Sequence, residues 1–241
     1  MNRIKLIKVL FQVVLNLPAV VVAQDLDKIL TRHFEAVGQE QILSMRTISM
    51  DMREMNGFSK TKEYTVTKKA PSKIIIEGVW KEQRYVSAYD GVRAWTIAPW
   101  TGVQVAQLMT EREKALLLLD VGLGSPLYNY AGLDQELTLI GSEYAQDKSH
   151  YVIRVTRPSG FYVDYLLNKK TYMVHLVRIY KEDNVEEVEK EVIFKNYKKL
   201  GAFSMPFEFE NRIDRSATHV IVDDIVFGQG APSSLFKMPE N

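Results

Sequence analysis

From position 46 onward, apolar and polar residues alternate along most of the chain. Ile48, Met50 and Met52 alternate with Ser49, Asp51 and Arg53, and Tyr64 and Val66 alternate with Glu63, Thr65 and Thr67. A period of two belongs to strands with one buried face. The pattern predicts strands at 46–53, 58–69, 73–80, 84–89 and 92–98. Asn56-Gly57 and Asp90-Gly91 read as tight hairpin turns, because type I′ geometry needs positive φ at both central residues. Pro71 breaks the second strand, and Pro99 with Gly102 stops the fifth. Alternation resumes at Glu136–Tyr144 and continues through 151–157, 161–167, 172–180, 188–197, 203–212 and 219–227. The turns fall at 146–148, 158–160, 168–170, 182–184 and 199–201. Strands at this spacing, with no helices between them, exclude a parallel βαβ sheet. The expectation is a mainly β (α+β) chain whose single antiparallel up-and-down sheet has about eleven or more strands.

Two helical stretches break the strand pattern. Asp25 reads as the cap of a helix whose Leu26, Ile29, Leu30, Phe34 and Val37 form one stripe, ended by Gly38. A short helical stretch over Gln39–Met45 follows. Such a stripe should lie on the sheet, where its apolar surface can be buried. The second insertion opens with Thr110-Glu111-Arg112-Glu113, a capping box. After it come Ala115 and four leucines, Leu116 to Leu119, with Gly122 and Gly124 as stop signals. Consecutive leucines cannot be amphipathic, so this helix needs apolar cover on more than one side: more protein, or a bound chain.

The first 23 residues have another character. Arg3, Lys5 and Lys8 precede a mostly apolar Val9–Val22 that ends in Val21-Val22-Ala23. That is the form of a secretory signal cleaved after Ala23. The run is short of the roughly 20 residues that span a bilayer. The expected organisation is a signal over 1–23 and one domain over 24–241, with no linker or repeat.

Composition narrows the functional classes. Removing Arg3, Lys5 and Lys8 from the 31 basic residues leaves 28 against 30 acidic ones, a charge of −2. That balance gives no electrostatic footprint for nucleic acid. With no cysteine, the chain has no disulfide, thiolate metal site or cysteine nucleophile. His33, His150, His175 and His219 stand at no metal-binding spacing, so only the fold could bring them together. Asp223-Asp224 lies in a strand, where neighbouring side chains point to opposite faces. Ser125, in Gly122-Leu123-Gly124-Ser125-Pro126, lacks the Gly-x-Ser-x-Gly elbow, and no phosphate-cradling glycine loop occurs. No enzyme, cofactor or metal is expected.

The order of several short motifs resembles the bacterial outer-membrane lipoprotein-sorting protein family, relatives of the periplasmic lipoprotein carrier and its receptor. Tyr89-Asp90-Gly91, Trp95 and Pro99-Trp100-Thr101-Gly102 begin the series. Pro126-Leu127-Tyr128-Asn129-Tyr130 with Leu139–Glu143 follows, then Val163–Leu167 with Thr171-Tyr172. Phe194–Tyr197 with Gly201 and Met205-Pro206-Phe207, and Ser234–Pro239, complete it. The resemblance implies an open antiparallel half-barrel with helices over its concave, apolar face, holding acyl chains. It also implies a periplasmic location, lipoprotein or lipid acyl chains as cargo, and an inner-membrane releasing complex and an outer-membrane receptor as partners. A monomer is expected.

The chain also has an apolar surplus: nine methionines, twelve tyrosines, ten phenylalanines and three tryptophans. Some can fill the core, and others can line a cavity, for which unbranched methionine is well suited. The candidate lipid-binding residues are Met50, Met52, Tyr64, Ile76, Trp95, Leu116, Leu117, Leu118 and Leu119, with Tyr85 and Tyr89 in reserve. Strand parity does not say which face is concave. A lipid or lipoprotein carrier is the first reading, and a non-catalytic envelope sensor of the same fold is the alternative.

Overall fold

A computed structural model describes residues 19–240 except 129–134, 158–160, 182, 183 and 185. Among the described residues, thirteen strands form one antiparallel sheet. They are β1 (Thr47–Asn56), β2 (Ser59–Lys69), β3 (Lys73–Trp80), β4 (Gln83–Tyr89), β5 (Ala94–Ala98), β6 (Val103–Leu108) and β7 (Glu136–Ala145). Then come β8 (Lys148–Thr156), β9 (Tyr162–Asn168), β10 (Val174–Tyr180), β11 (Val188–Leu200), β12 (Phe203–Ile213) and β13 (Ser216–Phe227). The spatial order runs β6 back to β1, then β13 back to β7. The sheet is therefore two meanders joined where the first strand meets the last, with β6 and β7 as its open edges. Chain between those edges must travel from one side of the half-barrel to the other. It does so across the concave face, with α3 (Glu111–Leu117) at its start.

Two further helices, α1 (Ala19–Val37) and α2 (Gln39–Ser44), cover the same face. Ile29 and Leu30 of α1 pack on β7–β10, and Ile42 of α2 packs on the β1, β12 and β13 side. Between the helices, Gly38 takes φ 72°, and a Cβ there would meet Ala202 O at 2.4 Å. No side chain fits where the chain turns this close to the β11–β12 turn. Asp25 does not cap α1, which extends N-terminally to Ala19 and leaves Asp25 inside it. The basic start and most of the expected apolar run fall on residues 1–18, outside the described residues. Among the described residues, no helix is long and apolar enough to cross a membrane.

Several local details differ from expectation. Strand β6 was not predicted: Val105 and Leu108 are exposed on this edge strand, and Ala106, which is buried in the outer cluster, is too small to mark a face by its hydrophobicity. The Asp90-Gly91 turn is wider than a two-residue hairpin, with Tyr89 opposite Ala94. The Asp90 carboxylate accepts from the N–H groups of Val92 and Arg93 and organises the loop itself. At the first hairpin Asn56 pairs with Ser59, so the two-residue loop is Gly57-Phe58, one position later than expected. The alternation at Asp223-Asp224 is interrupted by a bulge, and both carboxylates are exposed. The predicted turns at 158–160 and much of 182–184 lie outside the described residues.

The sheet buries residues on both faces. On the concave face one cluster joins Ile48, Met50, Met52, Val66, Ile74, Phe207 and Val222 to α2 and α3. A second joins Leu137, Ile153, Val163, Tyr165 and Val177 to α1. On the outer face, Ile75, Val86, Ala88 and Trp95 are covered by the C-terminal segment, whose Phe236 is fully buried.

Candidate functional site

Directly paired residues of antiparallel strands share a face, so register identifies the concave surface. Met52 pairs with Tyr64 and Val222, and Tyr64 pairs with Gly78, which pairs with Tyr85. One row below, Met50 pairs with Val66, and Val66 with Ile76. Met50, Met52, Tyr64 and Ile76 therefore stand together on the face that the helices cover, in one apolar cluster. Gly78 makes room in this row, since a Cβ there would lie 2.8 Å from the Tyr85 hydroxyl oxygen. That hydroxyl is buried without a hydrogen-bond partner. The row ends in an aromatic rim, where half-exposed Trp100 meets Tyr85 at 5.5 Å and Trp80 at 6.0 Å between ring centroids.

The leucine run divides between the two inner clusters. Leu117 and Leu118 pack against the Met50–Met52 cluster, and Leu116 and Leu119 against the cluster beneath α1. The apolar cover that four leucines demand is thus supplied by protein on both sides. The helix is also shorter than the run. Its capping box is formed, with Glu113 N–H donating to Thr110 Oγ1 at 3.2 Å and Thr110 N–H to Glu113 Oε2 at 2.8 Å. It ends at Leu117, so Leu118 and Leu119 belong to the turn that follows.

Trp95 stands apart from all of these. Its register partner Ala88 and its neighbours Ile75 and Val86 belong to the outer face, and its indole N–H donates to Phe236 O at 2.9 Å. Two percent exposed, it anchors the C-terminal segment and lines no part of the concave surface. The expectation that it joins Met50 and Met52 fails because their strands place them on opposite sides of the sheet.

The fold brings histidines to partners far away in sequence. His33 of α1 donates from Nδ1 to Tyr172 O at 2.7 Å, and its Nε2 accepts from the Ser125 hydroxyl at 2.6 Å. The carbonyl can only accept, which fixes this tautomer. Ser125 Oγ accepts in turn from Leu127 N–H, and Gln39 Oε1 accepts from Ser125 N–H. Burial lowers the His33 pKa to about 4, so the ring is neutral. A serine bonded to an oriented imidazole has the geometry of a nucleophile. Here, however, both residues are buried, and the serine oxygen is already engaged by a backbone amide. The group acts as a latch that ties α1, α2 and the crossing segment to the β9–β10 turn.

On the outer face, His150 and His175 stack with ring centroids 5.0 Å apart, and Lys148 lies 3.1 Å from His175 Nε2. Burial, then the charge of Lys148, lowers the His175 pKa to about 4. No group of three or more potential metal ligands occurs among the described residues. The outer cations are well partnered. Arg178 makes hydrogen bonds to Glu143 at 2.8 Å and to Glu191 at 3.0 Å, and Arg154 grips Asp164 at 2.7 and 2.8 Å. Two open grooves, of about 510 and 420 Å³, carry Glu63, Glu77 and Asp223, and Lys195 and Glu208, respectively. Both are mixed in character: Met52, Tyr64 and Val79 also line the first, and Met55, Phe58 and Phe209 the second.

One inward residue was not anticipated from sequence. Lys68 continues the parity of Tyr64 and Val66 and pairs with Ile48 and Ile74. Both isoleucines are core members of the Met50–Met52 cluster. The clue was a lysine in register with an apolar row, which looks like solvent-facing alternation until the buried face is known.

No protein-family model matches the chain, and no curated protein matches it. Solved structures do resemble it. A DUF1329 family protein from Desulfovibrio piger superposes with TM-score 0.60 at 13% identity, covering 87% of this chain and 97% of that one. An outer membrane lipoprotein-sorting protein domain from Vibrio parahaemolyticus gives 0.59 at 13% identity, covering 87% and 94%. A LolA superfamily protein from Nitrosomonas europaea gives 0.56 at 14%, covering 82% and 96%. The chain has the LolA-like fold, an open β half-barrel with helices over its concave face.

Proposed function

We propose that this protein is an exported carrier that binds acyl chains on its concave face and serves outer-membrane lipoprotein sorting. The observation that carries the reading is the inner row Met50, Met52, Tyr64 and Ile76, covered by a crossing segment that holds on mainly through leucines. The shared fold supports it, since one structure of that fold is named for outer-membrane lipoprotein sorting. The chain is cleaved after Ala23 and works in the periplasm. An inner-membrane complex loads it and an outer-membrane receptor unloads it.

Filling the face requires Leu117 and Leu118 to leave the sheet. Exposing two leucines costs roughly 3–6 kcal/mol, whereas burying a chain of about fifteen carbons contributes roughly 12 kcal/mol at about 0.8 kcal/mol per CH₂. The difference keeps a loaded chain from escaping into water, transfer from a membrane being left to the donor complex, and α3 with the turn after it is the part that lifts. Native mass spectrometry of the protein purified from the cell envelope tests this reading. A mass increment that tandem fragmentation identifies as an acyl lipid is expected. Uniformly bare protein, with no uptake from lipid vesicles, overturns it.

A further inference from the structure

The concave face carries a half-buried lysine, Lys68, whose ammonium is in direct contact with no carboxylate among the described residues. Lys68 lies between Ile48 and Ile74, which are 1% and 0% exposed, within the cluster that α3 covers. Its side chain makes no hydrogen bond and no ion pair among the described residues. The neighbouring Lys69 donates to Ala231 O at 2.5 Å, and the outer arginines hold carboxylates, so lysines and arginines elsewhere on this sheet do find partners. Burial lowers the Lys68 pKa, and Asp120, exposed on the turn after α3, offsets part of that effect. Arg157 is a second case. It follows Ile153 and Val155 in inward parity, and its Nε is buried with no hydrogen-bond partner among the described residues. Burial lowers its pKa as well.

Unpaired charge in apolar surroundings is strongly unfavourable, and a partner of opposite sign relieves it. Further along the inner face, Glu54 and its register partner Lys62 answer each other at 3.8 Å, and the Thr61 hydroxyl donates to Glu54 as well. The Tyr64 hydroxyl, whose pKa burial raises well above the usual range, remains a neutral donor. A ligand that lays its chain along Met50, Val66 and Ile76 would therefore find a cation at Lys68 and a hydroxyl at Tyr64.

We propose that Lys68 anchors the head of the bound ligand, which makes the cargo an anionic amphiphile with a carboxylate or phosphate beside its acyl chain. The proposal rests on the acyl-binding reading above and adds the chemistry of the head. Asp120 faces the same ammonium from the crossing segment and competes with the anion. Binding would exchange a solvated, weakly coupled carboxylate for one held against the sheet, and that exchange would help free the segment.

The test is displacement of a polarity-sensitive acyl probe by palmitate, by methyl palmitate and by lysophosphatidic acid. It uses the wild type, Lys68→Met, Lys68→Arg and Asp120→Asn. In the wild type, the anionic ligands should displace at about tenfold lower concentration than the ester, and whichever of the two is stronger identifies the head. Lys68→Met should erase that preference while leaving ester binding unchanged, because an apolar chain of similar length keeps the face intact. Lys68→Arg should retain the preference and Asp120→Asn should enlarge it. Equal displacement by acid and ester in the wild type overturns the anchor but leaves acyl binding standing. Loss of ester binding in a folded Lys68→Met variant overturns it too, by making the lysine merely structural. Failure of every ligand to displace or bind overturns the acyl reading itself.

Discussion

Acidification should loosen the helical cover of the sheet through His33. The ring is 1% exposed, and its two nitrogens are engaged by Tyr172 O and Ser125 Oγ. A proton on Nε2 would break the hydrogen bond that Ser125 donates. The folded-state pKa of about 4 lies below the ordinary 6.5. Between those values the unfolded chain binds more protons than the folded one, so stability falls as the pH falls. The difference is worth about 3.4 kcal/mol in full at 1.36 kcal/mol per pH unit, and roughly 2 kcal/mol of it is lost by pH 5. Urea unfolding at pH 7 and pH 5 measures this directly in the wild type and in His33→Gln. The variant is less stable at pH 7, but its loss on acidification should be smaller by roughly 2 kcal/mol. His150 and His175 titrate in both proteins, so their share cancels. Equal losses in the two proteins would refute a neutral, latched His33.

Three further outcomes follow from the geometry. Trp95→Ala should cost roughly 3–5 kcal/mol and release the C-terminal segment to protease while leaving acyl-probe affinity unchanged, because the indole belongs to the outer core. Thr110→Ala should lower stability by about 1 kcal/mol through loss of the capping box, measured by urea unfolding, and should speed hydrogen exchange across 111–117. N-terminal sequencing of the exported protein should begin at Gln24, and a mature form that keeps Met1 would reject the cleavage.

Local pattern reveals some of these features and distance hides others. The strands after residue 135 and the capping box at Thr110 were readable because each depends on a few adjacent residues. The pairing of β1 with β13 was not, since Met50 and Ile225 meet only after every other strand has taken its place. That closure decides which face is concave, so parity alone could group Met50 with Met52 yet misplace Trp95. The cover over Trp95 comes from Phe236 at the far end of the chain, which no period near residue 95 announces. The β6 edge escaped notice because Val105 and Leu108 are apolar yet exposed while the buried Ala106 is small, and alternation is a signal of burial. His33 and Ser125 are 92 positions apart and carry no shared motif. Lys68 looked like an ordinary polar strand position until its register neighbours proved to be Ile48 and Ile74.

Where an acyl chain touches the protein is the most direct test of the account. A fatty acid bearing a photoreactive diazirine in mid-chain, cross-linked to the purified protein and mapped by peptide mass spectrometry, reports those contacts residue by residue. Adducts are expected at Met50, Met52, Tyr64, Ile76 and the Leu117–Leu118 turn, all of which share one inner cluster. Adducts concentrated instead on Ile75, Val86 or Trp95 of the outer face, or scattered without preference, would contradict a concave acyl-binding site.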